Sequence, residues 1–156
     1  MTEEDSAFIL ELLNEPSFIQ NIGDRNVRSL DGAKAYITNG PVASYARNGF
    51  GLYLAELRET GESMGMCGLI RRNTLKDVDI GYAFLPRYWS KGYAFEAAQA
   101  MKQYAQETLG LKRLVAIVDP QNLGSIHLLE KLGMKFEKMV RLSPEDIELK
   151  LYSVDL

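Results

Sequence analysis

The chain has 156 residues and a mass of 17.5 kDa, with 46% apolar and 25% charged residues, which is one domain's worth of ordinary globular composition. Its net charge is -3, with 8 basic and 11 acidic side chains in residues 1–78 and 10 of each in 79–156. That balance argues against a nucleic-acid partner bound through its phosphates, and it suits plain solubility as well as a small cationic substrate. No apolar run approaches the roughly 20 residues of a membrane span, and the start, Met1-Thr2-Glu3-Glu4-Asp5, is acidic where a leader would be basic and then apolar. Cys67 is the one cysteine and cannot close an internal disulfide, so the expectation is a reducing cytoplasm.

Taken in chain order, Thr2 followed by three acids reads as a helix cap and an acidic first turn. Phe8, Ile9, Leu12 and Leu13 then form one apolar stripe, which ends before Pro16. A second helical stretch starts at Asp31, is interrupted at Gly40-Pro41, and resumes with Val42, Tyr45 and Ala46 as far as Asn48-Gly49. Residues 50–57 are apolar on both faces and predict a buried strand. Strands are also predicted at 63–71, 78–85, 113–118, 134–142 and 147–154, with helices at 92–109 and 122–132. The strands at 78–85 and 113–118 flank a helix, so they should be parallel with a right-handed crossover. With no linker, repeat or low-complexity tract, residues 1–156 read as a single domain. It is a mixed α/β domain with a mostly antiparallel sheet, one parallel pair, and helices on both faces.

The densest chemical signal is Pro86-Arg87-Tyr88-Trp89-Ser90-Lys91-Gly92-Tyr93-Ala94, where a strand turns into the start of the longest helix. Small residues there let a ligand reach free backbone N–H groups, and the helix start favours an anion such as phosphate. A tight strand-to-helix turn explains the same glycine. Neither GxxxxGK[ST] nor GxGxxG follows a strand, and no metal-ligand spacing occurs, so no metal is expected. His127 falls among polar helix residues and reads as solvated. Cys67 alternates with Met66 and Gly68 in a strand and reads as a small core residue.

Asp79-Ile80-Gly81-Tyr82, followed by Pro86-x-Tyr88-Trp89-x-Lys91-Gly92-Tyr93-Ala94-x-Glu96-Ala97, resembles the acetyl-CoA motif of the GNAT N-acetyltransferase superfamily. Asn122-x-x-Ser125, then Leu129-Glu130-Lys131-Leu132-Gly133-Met134, resembles that superfamily's next block, and the combination is most similar to the RimJ/RimL-like branch. The resemblance spans about residues 25–140 and implies transfer of an acetyl group from acetyl-CoA to a primary amine, a protein or peptide α-amine or a small molecule. It implies that the backbone of Ser90, Lys91, Gly92, Tyr93 and Ala94, after Trp89, holds the pyrophosphate. The pantetheine arm would run along Phe84 and Leu85, near which a backbone N–H would polarise the acetyl carbonyl. Asn122 would bond the arm or simply cap its helix. Ser125 would protonate the leaving thiolate or merely be a polar helix-start residue.

Asp79 would be the base, directly or through water, or it would pair with Arg71 or Arg72. The helices at 3–48 and the loop near 143–146 should wall the acceptor groove. The sequence departs from the superfamily at Trp89, where Gln or Arg is usual, and at Leu129, where many relatives carry a tyrosine acid. It also lacks the strand expected before the first helix. The strand at 50–57 should then be covered by a helix or a second subunit, as in a homodimer, or the natural chain should start upstream. A non-catalytic acyl-CoA-binding module is the alternative reading. It would keep the Gly92 loop without groups that handle protons.

Overall fold

The computed structural model describes residues 1–156. The N-terminus is capped reciprocally: the Thr2 hydroxyl accepts from the Glu4 N–H, and the Asp5 carboxylate accepts from the Thr2 N–H at 2.8 Å. Helix α1 (Ser6–Leu13) buries Ile9, Leu12 and Leu13 of the stripe read from the sequence, while Phe8 is half-buried. A six-residue helix, α2 (Pro16–Asn21), follows and had no periodic signature. It buries only Phe18, and Pro16 opens it at the first position, where a missing N–H does no harm. Helix α3 (Leu30–Ile37) is capped by Ser29, whose hydroxyl accepts from Gly32 N–H at 3.0 Å. Gly40-Pro41 lies in a widened turn, Thr38–Val42, between α3 and α4 (Ala43–Asn48). Proline has no N–H for the usual helical bond, so the turn loosens there without stopping.

Six strands form one sheet: β1 (Leu52–Glu56), β2 (Ser63–Ile70), β3 (Asp79–Phe84), β4 (Arg113–Val118), β5 (Lys135–Val140) and β6 (Leu149–Asp155). Their spatial order is β1-β2-β3-β4-β6-β5, antiparallel everywhere except between β3 and β4. Helix α5 (Tyr93–Glu107) makes the crossover between those two, and α6 (Leu123–Lys131) follows β4. One cluster of 27 buried residues runs from α1 and α3 through β2, β3 and β4 to α6. None of the helices is long and apolar enough to cross a membrane.

Residues 50–57 differ from the expectation of a fully buried strand. β1 is the sheet's edge, its residues Leu52–Ala55 are half-buried, and full burial is confined to Phe50 and Gly51. Tyr53 and Ala55 pair with β2, which leaves the N–H and C=O groups of Leu52 and Leu54 on the open side. Helix α4 covers part of that side. The Tyr45 hydroxyl donates to Leu52 O, its ring stacks on Tyr53 at 5.2 Å, and the Ser44 hydroxyl donates to Phe50 O at 2.6 Å.

β2 approaches β3 closely because it carries glycines. A Cβ on Gly65 would lie 2.7 Å from Phe84 Cα and closer still to the Ala83 carbonyl oxygen. Both contacts are backbone, so nothing flexible can yield. Gly65→Ala should therefore lower stability by about 1–3 kcal/mol, the range for overpacking a close-packed interior, read as the shift in a urea unfolding midpoint. A midpoint equal to that of the parent protein would contradict this packing.

Candidate active site

β3 and β4 share a single register position, Asp79 with Val115, and then separate. Leu85 N–H donates to Met64 O at 3.0 Å, so along β3 the odd-numbered residues bond β2. The even-numbered residues face β4: Val78 O accepts from Val115 N–H at 3.1 Å, and beyond it Tyr82 and Phe84 face the opening. The same alternation on β4, fixed by Leu156 N–H on Lys112 O, aims Ile117 at the opening from the other side. The Trp89 indole N–H donates to Phe84 O at 2.8 Å and occupies that carbonyl. The sequence places a donor near Leu85, and the backbone alternation decides which amide is free. Leu85 is buried with its N–H committed to β2, and the N–H that faces the gap is that of Phe84.

The gap runs into a cradle of amides. Gly92 is the N-cap of α5 at φ +86°, and Ser90 also has a positive φ, +60°. The first N–H of α5 with a helical acceptor is that of Glu96, on Gly92 O at 3.0 Å. The amides of Ser90, Lys91, Gly92, Tyr93, Ala94 and Phe95 have no acceptor within the chain. Consecutive free N–H groups at a helix start, reinforced by the helix dipole, form a concave anion site. A Cβ at Gly92 would meet nothing within 4 Å, so this glycine serves its backbone conformation and leaves the approach open.

Gap and cradle belong to one cleft of about 1150 Å³. Phe84, Trp89, Ser90, Gly92, Tyr93, Ala94 and Asn122 line it, as do Asp79 and Ser125. Leu85 and Lys91 do not. Arg87 turns away to Glu11 (3.2 Å) and the face of Tyr88, so its charge is spent outside the cleft. At the other end the walls are α2, Tyr36 and the segment Leu142–Ile147.

Asn122 accepts from Ser125 N–H at 3.3 Å through its side-chain oxygen, the N-cap of α6, and its amide N–H groups are left for another partner. The Ser125 hydroxyl lies 2.8 Å from the Tyr82 hydroxyl. Asp79 is 1% exposed and bonded to Arg72 Nε at 3.1 Å. Burial pushes its pKa up to about 6, and Arg72 pulls in the opposite direction. His127 is exposed, 3.9 Å from Glu130, and burial pushes the Cys67 thiol up to about 12. No cluster of acids, histidines or cysteines could hold a metal ion.

Residues 1–135 match the family model described as an acetyltransferase (GNAT) domain. The chain belongs to the GNAT acetyltransferase family. It is 38% identical over 95 residues to the protein YkkB of Bacillus subtilis, covering 60% of this chain and 55% of that one. The alignment thus spans about half of that relative's length. The crystal structure of an acetyltransferase from Agrobacterium tumefaciens superposes with a TM-score of 0.81 at 27% identity, over 99% of this chain and 86% of that one. A ribosomal-protein-S5-alanine acetyltransferase from Vibrio fischeri shares the fold, with a TM-score of 0.82 at 18% identity over 99% and 90% of the two chains.

Within this GNAT fold, Leu129 is 1% exposed and lines the cleft with a side chain that can neither give nor take a proton. Of the four tyrosines that line the cleft, Tyr36, Tyr82, Tyr88 and Tyr93, the one that reaches the start of α6 is Tyr82, across the gap. The alternation of β3 places Tyr82 and Asp79 on opposite faces of the sheet. Because β3 and β4 part, both faces open on the same space.

Two outcomes follow from this geometry. Gly92→Ala should bind coenzyme A more weakly because a left-handed residue with a Cβ is strained by about 1–2 kcal/mol. Gly92→Glu should abolish binding by placing a negative charge at the cradle. Trp89 is the only tryptophan and lines the cleft, so its fluorescence reports the titration. Unchanged affinity in a folded Gly92→Glu protein would sink the assignment.

The second outcome concerns Asp79. A carboxyl whose pKa rises on folding favours the folded state while protonated, fully so below about pH 4, and that contribution is lost as pH rises through about 6. Asp79→Asn removes this loss. Its stability relative to the parent should therefore grow by up to about 3 kcal/mol between pH 4 and pH 7. A difference that shrinks with pH would mean that the Arg72 pair outweighs burial.

Proposed function

We propose that the protein is an acetyl-CoA-dependent N-acetyltransferase whose acceptor is an amine of lowered pKa, a peptide α-amine before a lysine side chain. The observation that carries this reading is the run of free amides from Ser90 to Phe95 opening onto the gap between β3 and β4. An anion cradle and an unpaired strand edge in one cleft suit a ligand with a pyrophosphate at one end and an amide-bearing arm. Adenine-nucleotide loops of the common kinds are absent from the sequence.

When bound, acetyl-CoA supplies an acetyl thioester that a neutral amine can attack directly. The amides of Ser90–Ala94 would hold the pyrophosphate at the start of α5. The Tyr82 and Phe84 backbone would align the arm as an added strand, with the Phe84 N–H as the donor nearest the reacting carbonyl. The side-chain amide N–H groups of Asn122 would bond the arm from the α6 side. Asp79 would accept the acceptor's proton through water, since its carboxylate is 1% exposed and held by Arg72. Ser125 would donate to the sulfur.

The acceptor class rests on this modest proton equipment. An α-amine has a pKa of about 7.7–8.0 and a lysine about 10.4, so a lysine is handicapped near pH 7.5 by roughly 4 kcal/mol. Position 129 holds leucine rather than tyrosine, which leaves Asp79 and Ser125 as the proton groups of this reading; His127 and Glu145 also line the cleft and are not used in it. The buried, unpaired Cys67 suits a cytoplasmic protein, and the open side of β1 at Leu54 is where a second copy would pair.

Thiol release from acetyl-CoA against peptide α-amines, lysine peptides, polyamines and aminoglycosides tests the reading. Peptide α-amines should be the best acceptors. Asp79→Asn should lower kcat/KM by about 10–1,000-fold at pH 7, and the deficit should narrow as pH rises and free amine accumulates. Coenzyme A binding without turnover on any amine would make this an acyl-CoA-binding module. Better turnover of lysine peptides would overturn the acceptor class alone.

A further inference from the structure

The side chain of Tyr82 has no part in the proton handling proposed above. Its phenol reaches from β3 to the start of α6, 43 residues away in sequence, with its oxygen 2.8 Å from Ser125 Oγ and 3.3 Å from Ser125 O. This hydroxyl pair closes the gap on the face opposite Asp79.

We propose that Tyr82 is a positioning residue. By donating its phenolic hydrogen to Ser125 Oγ, it leaves the serine's own hydrogen free to point into the gap at the leaving sulfur.

Either hydroxyl can donate in this pair, and the one Tyr82 hydrogen can also reach Ser125 O; the proposed role requires that it go to Ser125 Oγ. A serine hydroxyl has one hydrogen and two lone pairs, so it can accept from Tyr82 and still donate elsewhere. If the serine donated to the phenol, it would have no hydrogen for the sulfur. The alternative in which Tyr82 ionises is disfavoured, because burial pushes its pKa up to about 12. Cys67, opposite Tyr82 across the β2–β3 pair, is also held neutral by burial, so it does not compete as a charged partner. Ser125 N–H is engaged by Asn122, which fixes the backbone from which the hydroxyl projects. Asn122 and Tyr82 therefore hold Ser125 from two sides. In the transfer, the amine nitrogen bonds to the acetyl carbon, the bond from that carbon to sulfur breaks, and its electron pair moves onto sulfur. The hydrogen bond from Ser125 then meets the developing charge, and the proton balance remains one lost by the amine and one gained by the sulfur.

This inference rests on the acetyltransferase reading, and the test separates the two. A donor aimed at the sulfur lowers the pKa of bound coenzyme A's thiol, so binding near pH 8 should release protons. Calorimetric titration with coenzyme A in buffers of different ionisation enthalpy counts them without any turnover. The parent protein should release a fraction of a proton on binding, and Tyr82→Phe and Ser125→Ala should each abolish most of that release. In thiol-release assays, Tyr82→Phe should lower kcat by about 5–50-fold, with the affinity for acetyl-CoA, read from Trp89 fluorescence, changed less than about 3-fold. The double variant should be no slower than Ser125→Ala, since a device that works through a second residue is not additive with it. Proton release and kcat in Tyr82→Phe equal to the parent's, or effects that add in the double variant, would overturn the assignment. A parent protein that binds coenzyme A but turns over no amine would overturn the acetyltransferase reading and this role with it.

Discussion

Everything in the site depends on the failure of two parallel strands to stay paired. β3 and β4 meet at Asp79 and Val115 and then diverge, so the in-plane groups of Tyr82, Phe84 and Ile117 lose their natural partners. Unpaired backbone groups inside a protein are costly unless something satisfies them. Here one is satisfied from within, by the Trp89 indole on Phe84 O, and the rest face an open cleft. The divergence thus creates a strand-shaped vacancy with donors and acceptors already aimed.

The neighbouring elements maintain that vacancy. Gly65 lets β2 approach β3 closely and holds the far edge of β3 so that only its near edge is free. The chain then makes a short turn at Pro86–Tyr88 and enters α5 through two left-handed residues, Ser90 and Gly92, which expose six successive amides. On the other wall, α6 is capped by Asn122 and carries Ser125 within reach of Tyr82. Because the gap opens on both faces of the sheet, a buried acid on one face and a hydroxyl pair on the other serve the same space.

Much of this was legible in the sequence, for identifiable reasons. The strand at 113–118 showed as a short apolar run rich in β-branched residues, and the helix between 78–85 and 113–118 implied the parallel pair. The segment from Pro86 to Ala94 showed a small-residue helix start, and the side walls at α2 and Leu142–Ile147 lay in the segments expected to form the groove. What was illegible depends on pairing. Helix α2 is too short for a period, β1 is an edge that alternation alone could not distinguish from a central strand, and the commitment of Leu85 N–H to Met64 follows from register. Tyr82 stood in the motif that begins at Asp79, but its reach to Ser125 spans 43 residues and exists only in the fold.

The central claim is that the amides of Ser90–Phe95 and of Phe84 receive the ligand while those of β3 that bond β2 are already occupied. Residue-resolved amide hydrogen exchange with and without coenzyme A tests it most directly. Protection should appear at Ser90 to Phe95 and at Phe84, and Ala83 and Leu85 should exchange as slowly in the free protein as in the complex. Protection confined to other segments, or a Leu85 amide that becomes protected only on binding, would contradict it.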